Sequence, residues 1–330
     1  MPLRIAFAGT PELALPSLEA LLASPHRLVG VISQPDRPKG RSRRPTPAPV
    51  AALALARGIP LVRPENARDP ALAAALAEWR PDVLLVLAFS LLLPEEVLAV
   101  PRLGAYNAHA SLLPKYRGAS PIPAAILAGE KESGVTIFRL VERLDAGPVL
   151  LQRRLPLAPD ETAGSLGRKT AALSAEALLE ALALLESGSP ALAPQDEARA
   201  SYAPKLGKAD GRLDWSRGAE ELDRRVRAMN PWPGGFTFLP GAPGAPVAPP
   251  VPPVRLKIHR LRPAPEAATA AGAPPGTLLP SPRFLVACGA EGREAVELLE
   301  VQAEGGKALA AGAFLRGHQL APGTRLLQEP

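Results

Sequence analysis

Apolar residues in the first half of the chain fall in short, mostly unbroken runs. Leu3 to Ala8 reads LRIAFA, Leu28 to Ser33 reads LVGVIS and Asp82 to Phe89 reads DVLLVLAF. Leu103 to His109 (LGAYNAH) and Val135 to Leu140 (VTIFRL) continue the series. Runs of this length predict strands buried on both faces. Helical patterns lie between several of them, after Pro11, over Val50 to Arg57, over Pro70 to Trp79 and over Pro121 to Leu127. A long Ala/Leu-rich helix is expected from about Gly164 to Ser187. Strands alternating with helices predict an α/β fold, a Rossmann-like doubly wound sheet that is mainly parallel.

The pattern changes after that helix. Residues 189–207 are rich in Pro, Ala and Gly and read as a linker. Short segments with strand-like alternation follow. In RLKIH, Arg255, Lys257 and His259 share one face, and Leu256 and Ile258 the other. Arg283 to Cys288 and Ala295 to Val301 read likewise. The expected division is a first domain over 1–188, a linker over 189–207 and a small mostly-β, OB-like barrel domain over 208–330. Pro240 to Pro253 reads as an exposed Pro/Gly/Ala loop.

Composition narrows the picture modestly. The chain has 330 residues, a length suited to two domains, and 47% hydrophobic residues, enough for a sizeable core. The formal net charge is +6, which tilts the expectation toward an anionic partner. A single cysteine, Cys288, excludes an internal disulfide and a cysteine-based zinc site. No uninterrupted apolar run reaches membrane-spanning length, so no membrane association and a cytoplasmic location are expected.

Gly9-Thr10-Pro11 stands where a dinucleotide-binding protein carries G-x-G-x-x-G. It has one glycine of three, and Pro11 lacks an N–H for phosphate. It reads as a tight strand-to-helix turn, which disfavours a nicotinamide-dependent dehydrogenase. The segment Asn107 to Gly118, NAHASLLPKYRG, is more informative. Asn107 and His109 lie two apart on an expected strand, so both side chains take one face. Ligands of open α/β sheets sit beyond the carboxyl ends of strands, and an Asn and a His there can both donate to one oxyanion. Asp145, in RLDAGPVL, follows another expected strand; it is a candidate general base, or an orienter for His109. No metal-ligand cluster is visible in the sequence.

Arg37, Lys39, Arg41, Arg43 and Arg44 crowd into eight residues, with Asp36 the only acid nearby. Such a run reads as a surface loop. It follows the second strand, on the carboxyl edge expected to hold Asn107 and His109. A basic loop there could hold RNA phosphates, the alternative being ordinary solvated surface charge. Arg255, Lys257, Arg260 and Arg262 in the β domain would extend the same charge.

These motifs resemble those of the folate-dependent formyltransferases. The Asn-x-His-x-Ser-Leu-Leu-Pro run and the Leu-Asp-x-Gly turn are similar to that family generally. FAGTPELA (Phe7 to Ala14), QPDRPKGRSRR (Gln34 to Arg44), YAPKL (Tyr202 to Leu206) and MNPWPG (Met229 to Gly234) resemble its branch of methionyl-tRNA formyltransferases, over nearly the whole chain. The chain departs from the pattern at Pro148, where an acidic residue is frequent, and at Ala88 to Ser90, where an aromatic-glycine pair is frequent.

The resemblance implies a donor, 10-formyltetrahydrofolate, and an acceptor, the α-amine of methionine on initiator tRNA, in translation initiation. It implies that the amine attacks the formyl carbon and that Asn107 and protonated His109 stabilise the resulting oxyanion. Asp145 would hold His109 as the cation and help move the amine proton. Ser111, Leu112, Leu113 and Pro114 would line the folate site, with Leu87, Ala88 and Phe89 as another wall; the alternative is that the leucines are core. No metal and a monomeric enzyme are expected. Two other readings remain open: a formyltransferase for a small amine, and a non-catalytic RNA-binding protein on the same fold.

Overall fold

The computed structural model describes residues 2–39, 44–188, 190–241, 252–268, 272–318 and 320–329. They form two compact units. The first comprises residues 1–122, 131–157 and 165–205; the second comprises 123–130, 158–164 and 206–330.

The first unit is built on β1 (Arg4–Gly9), β2 (Arg27–Ile32), β5 (Leu61–Val62), β6 (Val83–Leu87), β7 (Ala105–His109), β8 (Glu132–Arg139) and β9 (Val149–Pro156). Their order in the sheet is β5-β2-β1-β6-β7-β8-β9. The pairs from β5 through β7 are parallel, and β8 and β9 add an antiparallel edge. Its helices are α1 (Leu15–Ala23), α2 (Pro49–Ala56), α3 (Pro70–Trp79), α4 (Glu95–Leu98) and nearly all of α6 (Ala163–Glu186), while most of α5 (Pro121–Leu127) belongs to the second unit.

The reason for the continuous apolar strands is visible in the packing. Along β1, Ile5 and Phe7 enter a core shared with α1, α2 and α6. Ala6 and Ala8 enter a second core with Leu72, Leu76 and Trp79 of α3. Both faces are covered, so polar alternation is absent. Gly30 of β2 marks the tightest point, because a Cβ there would lie 2.3 Å from the Trp79 ring. Gly30→Ala is expected to destabilise the protein by about 1–3 kcal/mol through overpacking. A denaturant titration checks this as a lowered midpoint.

Residues 190–205, read from composition as a linker, are built into the first unit. Val149 and Ala193 exchange backbone hydrogen bonds of 2.7 and 2.8 Å. The basic loop, expected as irregular, is flanked by a two-stranded ribbon. Here β3 (Arg37–Lys39) pairs antiparallel with β4 (Arg44–Thr46).

The second unit contains α7 (Ala219–Ala228), β10 (Gly235–Leu239), β11 (Val254–Pro263), β12 (Leu285–Cys288), β13 (Glu294–Ala303), β14 (Leu309–Ala310) and α8 (Ala311–Gly317). Its antiparallel sheet runs β10-β11-β13-β12, and β14 pairs with β13. Isolated bridges Val286–Leu278, Thr277–Arg325 and Leu327–Phe238 carry the pairing from β12 back to β10, closing a small barrel. Leu256 and Ile258 of β11 face its core, and Lys257 is exposed, as the alternation predicts. Most of the tract Pro240 to Pro253 lies outside the described residues. No helix among the described residues is long and apolar enough to cross a membrane.

Candidate active site

The strand order reverses between β1 and β6, which feed opposite halves of the sheet. Crevices at the carboxyl edge of such a reversal are where open α/β sheets bind ligands. Strands β1, β2, β6 and β7 run parallel, so their carboxyl ends share that edge. Asn107 and His109 lie at the end of β7. Their face is opposite to that of Tyr106 and Ala108, which enter the larger core.

His109 is 5% exposed. Its Nε2 lies 2.8 Å from the Tyr116 carbonyl oxygen. A carbonyl only accepts, so Nε2 carries a proton and donates it. Nδ1 faces the Asp145 carboxylate, with Oδ2 at 3.7 Å. That distance is an ion-pair contact and too long for a hydrogen bond. The same Oδ2 accepts a 2.8 Å bond from the Gly118 backbone N–H. The main chain therefore orients the imidazole, and Nδ1 is left to serve a reacting group beside a carboxylate. Asn107 Oδ1 is buried with no hydrogen-bond partner. A buried orphan acceptor in this position fits a substrate N–H.

Asp145 reaches His109 by an indirect route. β8 runs antiparallel to β7, so Arg139 pairs with Tyr106 at the start of β7. The chain turns after β8 and brings Asp145 back to His109. Asp145 has φ +48, the left-handed region that non-glycine residues seldom adopt. Gly118, at φ +112, meets a second constraint: a Cβ there would lie 2.7 Å from the Ala203 carbonyl oxygen.

The loop after β7 is pinned from inside. Ser111 is fully buried and its Oγ donates to the Lys115 carbonyl at 2.7 Å. Thr136 Oγ1 donates to the Ser111 carbonyl at 2.7 Å and accepts from the Leu113 N–H at 3.1 Å. Gln152 Nε2 donates to the Leu113 carbonyl at 2.7 Å. Ser111 and the 5%-exposed Leu113 thus shape the loop, while Leu112 and Pro114 are half-buried. Leu87 needs a correction. Val86 pairs with Asn107, so period-two alternation puts Leu87 on the opposite face, in the larger core. Ala88 is exposed and Phe89 half-buried beyond the end of β6.

Sequence reasoning missed a polar cluster built around one buried residue behind the pair. Arg117 is fully buried and forms a fork on Glu197, Nη1 to Oε2 at 3.1 Å and Nη2 to Oε1 at 2.9 Å. Arg143 adds a 3.0 Å bond to Glu197 Oε2. The Arg117 hydrogen bond is the main force lowering the Glu197 carboxyl from its ordinary 4.5 to about 2; burial opposes it and Arg143 assists. A depressed carboxylate stabilises the fold above its unfolded pKa and ceases to do so as pH falls through the folded one. The wild type is therefore expected to lose stability more steeply between pH 4.5 and about 2 than Glu197→Gln does. Thermal melts across that range check it. The signal open to sequence reading was only Arg117 itself, inside the PKYRG run.

In the basic ribbon, Arg37 and Arg44 are exposed and lack an acidic partner among the described residues. Asp36 is taken by Arg63 at 2.6 Å and does not neutralise them. Arg41 and Arg43 lie outside the described residues, and Lys39 is placed as backbone of β3. In the second unit Lys257 is exposed, whereas Arg255 stacks over the Phe236 ring at 3.7 Å and is half-buried. Arg262 is paired with Glu297 at 2.7 Å. No group of three or more His, Cys, Asp or Glu side chains among the described residues is placed to hold a metal ion.

The formyl transferase family matches residues 3–182, and the formyl transferase C-terminal domain matches residues 205–319. A methionyl-tRNA formyltransferase of Methylococcus capsulatus is 44% identical over 98% of this chain and 99% of its own length. One of Thermus thermophilus is 46% identical over 99% of this chain and 100% of its own. The chain belongs to the methionyl-tRNA formyltransferase family.

Solved structures agree on the fold. HypX of Aquifex aeolicus, in complex with tetrahydrofolic acid, superposes with a TM-score of 0.61 at 21% identity, covering 96% of this chain and 47% of HypX. An N-formyltransferase of Helicobacter canadensis, with folinic acid and dTDP-3-aminofucose, gives 0.63 at 17% identity, covering 90% and 98%.

Proposed function

We propose that the protein transfers the formyl group of 10-formyltetrahydrofolate to the α-amine of methionyl initiator tRNA, acting as a monomer in the cytoplasm for translation initiation. The reading rests above all on family membership through both units, at 44–46% identity to enzymes of that name.

The site chemistry suits an acyl transfer to an amine. Attack on the formyl carbon turns its carbonyl oxygen into an oxyanion. The Asn107 amide N–H and the protonated Nδ1 of His109 donate to that oxygen. Asn107 Oδ1, which lacks a protein partner, accepts from the attacking amine and aligns it. The Tyr116 carbonyl holds Nε2–H, and the Asp145 carboxylate lies beside Nδ1. Asp145 takes the amine proton, directly or through one water; the oxyanion then collapses, the formyl carbon–N10 bond breaks, and the proton passes to N10 of the departing tetrahydrofolate.

Ala88, Phe89, Leu112 and Pro114 supply the folate walls, and Ser111 and Leu113 hold the loop that carries two of them. The reaction needs no metal. Arg37, Lys39, Arg41, Arg43 and Arg44 hold acceptor-stem phosphates, and Lys257 with Arg255 adds positive charge for the tRNA body.

Acceptor choice tests this reading. Initial rates with methionyl initiator tRNA should exceed those with free methionine or an amino-sugar nucleotide by orders of magnitude. Equal rates on a small amine would show that the RNA is not the acceptor's recognised part.

A further inference from the structure

The Arg117 cluster does more than fill space behind the catalytic pair. Arg117 Nε and Nη2 both donate to Gln195 Oε1, at 3.2 and 2.8 Å. With its oxygen committed, Gln195 turns its amide nitrogen the other way. Nε2 donates to the Asp145 carbonyl at 2.8 Å and to the Gly147 carbonyl at 2.7 Å. Two donors on one side and two acceptors on the other fix the amide orientation. The Asp145 backbone held in this way is the one at φ +48.

The neighbours of Arg117 complete the arrangement. Tyr116, at φ +62, offers its carbonyl to His109 Nε2, and Gly118 donates its N–H to Asp145 Oδ2. Arg117 itself is tied on both sides to the strap at 201–203. Its N–H donates to the Ser201 carbonyl at 2.8 Å, and its carbonyl accepts from the Ala203 N–H at 2.7 Å. One buried residue therefore stands between the groups that fix the ring and those that fix the carboxylate.

We propose that Arg117 and Gln195 are positioning residues that set the 3.7 Å spacing of His109 and Asp145 by clamping the backbone on both sides of the pair. Chemistry argues for this over a packing role. Arg117 is fully buried, and burying a guanidinium costs solvation that an apolar side chain of similar size would not incur. Only a planar fork with several fixed donors can orient a glutamine amide and grip a carboxylate together. The inference rests on the proposed roles of His109 and Asp145.

The test is a double-mutant cycle on the full chain. Gln195→Glu keeps an acceptor for Arg117 but removes both donations to the Asp145 and Gly147 carbonyls. The single-turnover rate at saturating substrates should fall about 10- to 100-fold, with both KM values unchanged within about twofold. In an Asp145→Asn background the same change should cost nothing further, since the clamp acts through Asp145. Gln195→Met serves as the second variant should Gln195→Glu fold poorly, with the same expected results. Normal turnover of the Gln195 variants beside a crippled Asp145→Asn overturns the clamp alone, as does an undiminished loss in the Asp145→Asn background. Normal turnover of Asp145→Asn overturns the chemistry on which the clamp rests, and the clamp with it.

Discussion

Asp145→Asn is expected to lower the formyl-transfer rate about 10³- to 10⁴-fold while leaving tRNA and tetrahydrofolate binding within about twofold of wild type. The substitution keeps shape and removes charge. The Gly118 N–H can still donate to an asparagine oxygen, so the loop keeps its anchor. What disappears is the anion 3.7 Å from His109 Nδ1. In a site where His109 is 5% exposed, little water remains to replace it. The imidazolium that donates to the oxyanion loses its counter-charge, and the amine proton loses its acceptor. Both losses fall on the transition state, so kcat drops and KM does not. Single-turnover kinetics with equilibrium binding of each substrate separate the two effects. A variant that binds poorly and turns over normally once saturated would assign Asp145 to substrate binding instead.

Arg41→Ala combined with Arg43→Ala is expected to raise KM for methionyl-tRNA about 100-fold, with KM for the folate unchanged. The size follows from two charge-assisted contacts at about 1.5–3 kcal/mol each, reduced by about half through salt screening. The slope of log affinity against log salt should become shallower by about 2, because each phosphate contact releases roughly one counter-ion. The segments that flank these residues in the sequence pair as a ribbon, Arg37 with Thr46 and Lys39 with Arg44. Its residues Arg37 and Arg44 are exposed, so positive charge is presented and not consumed by internal ion pairs. Steady-state kinetics at several salt concentrations measure both quantities. An unaltered salt slope would remove the ribbon from the tRNA contact.

The sheet was legible because strands buried on both faces leave a coarse signal, the apolar run, that survives errors of one or two residues. β9 was not, since its residues Arg153 and Arg154 are exposed at the sheet edge and break the run. α7 was hidden for a similar reason. Its buried residues Ala219, Leu222, Val226 and Ala228 are embedded in AEELDRRVRA, where charge dominates the composition. Asn107 and His109 were readable as neighbours from period two alone. Leu87 was misplaced because its face depends on strand register, which pairs Val86 with Asn107 and which no single run contains. The clamp was invisible for the same kind of reason. Arg117 and Gln195 are 78 residues apart, and the segment bearing Gln195 has the composition of a linker. Its backbone bonds to Val149 and Arg117, together with the side-chain bonds of Gln195 and Glu197, make it part of the first unit.

The central claim is that this chain places a formyl group on an amine carried by RNA. Purified protein incubated with 10-formyltetrahydrofolate and methionyl initiator tRNA, followed by ester hydrolysis and identification of the released amino acid, tests it most directly. N-formylmethionine formed in step with tetrahydrofolate is the predicted result. Unmodified methionine, with the formyl group retained on folate or lost as free formate, would contradict it.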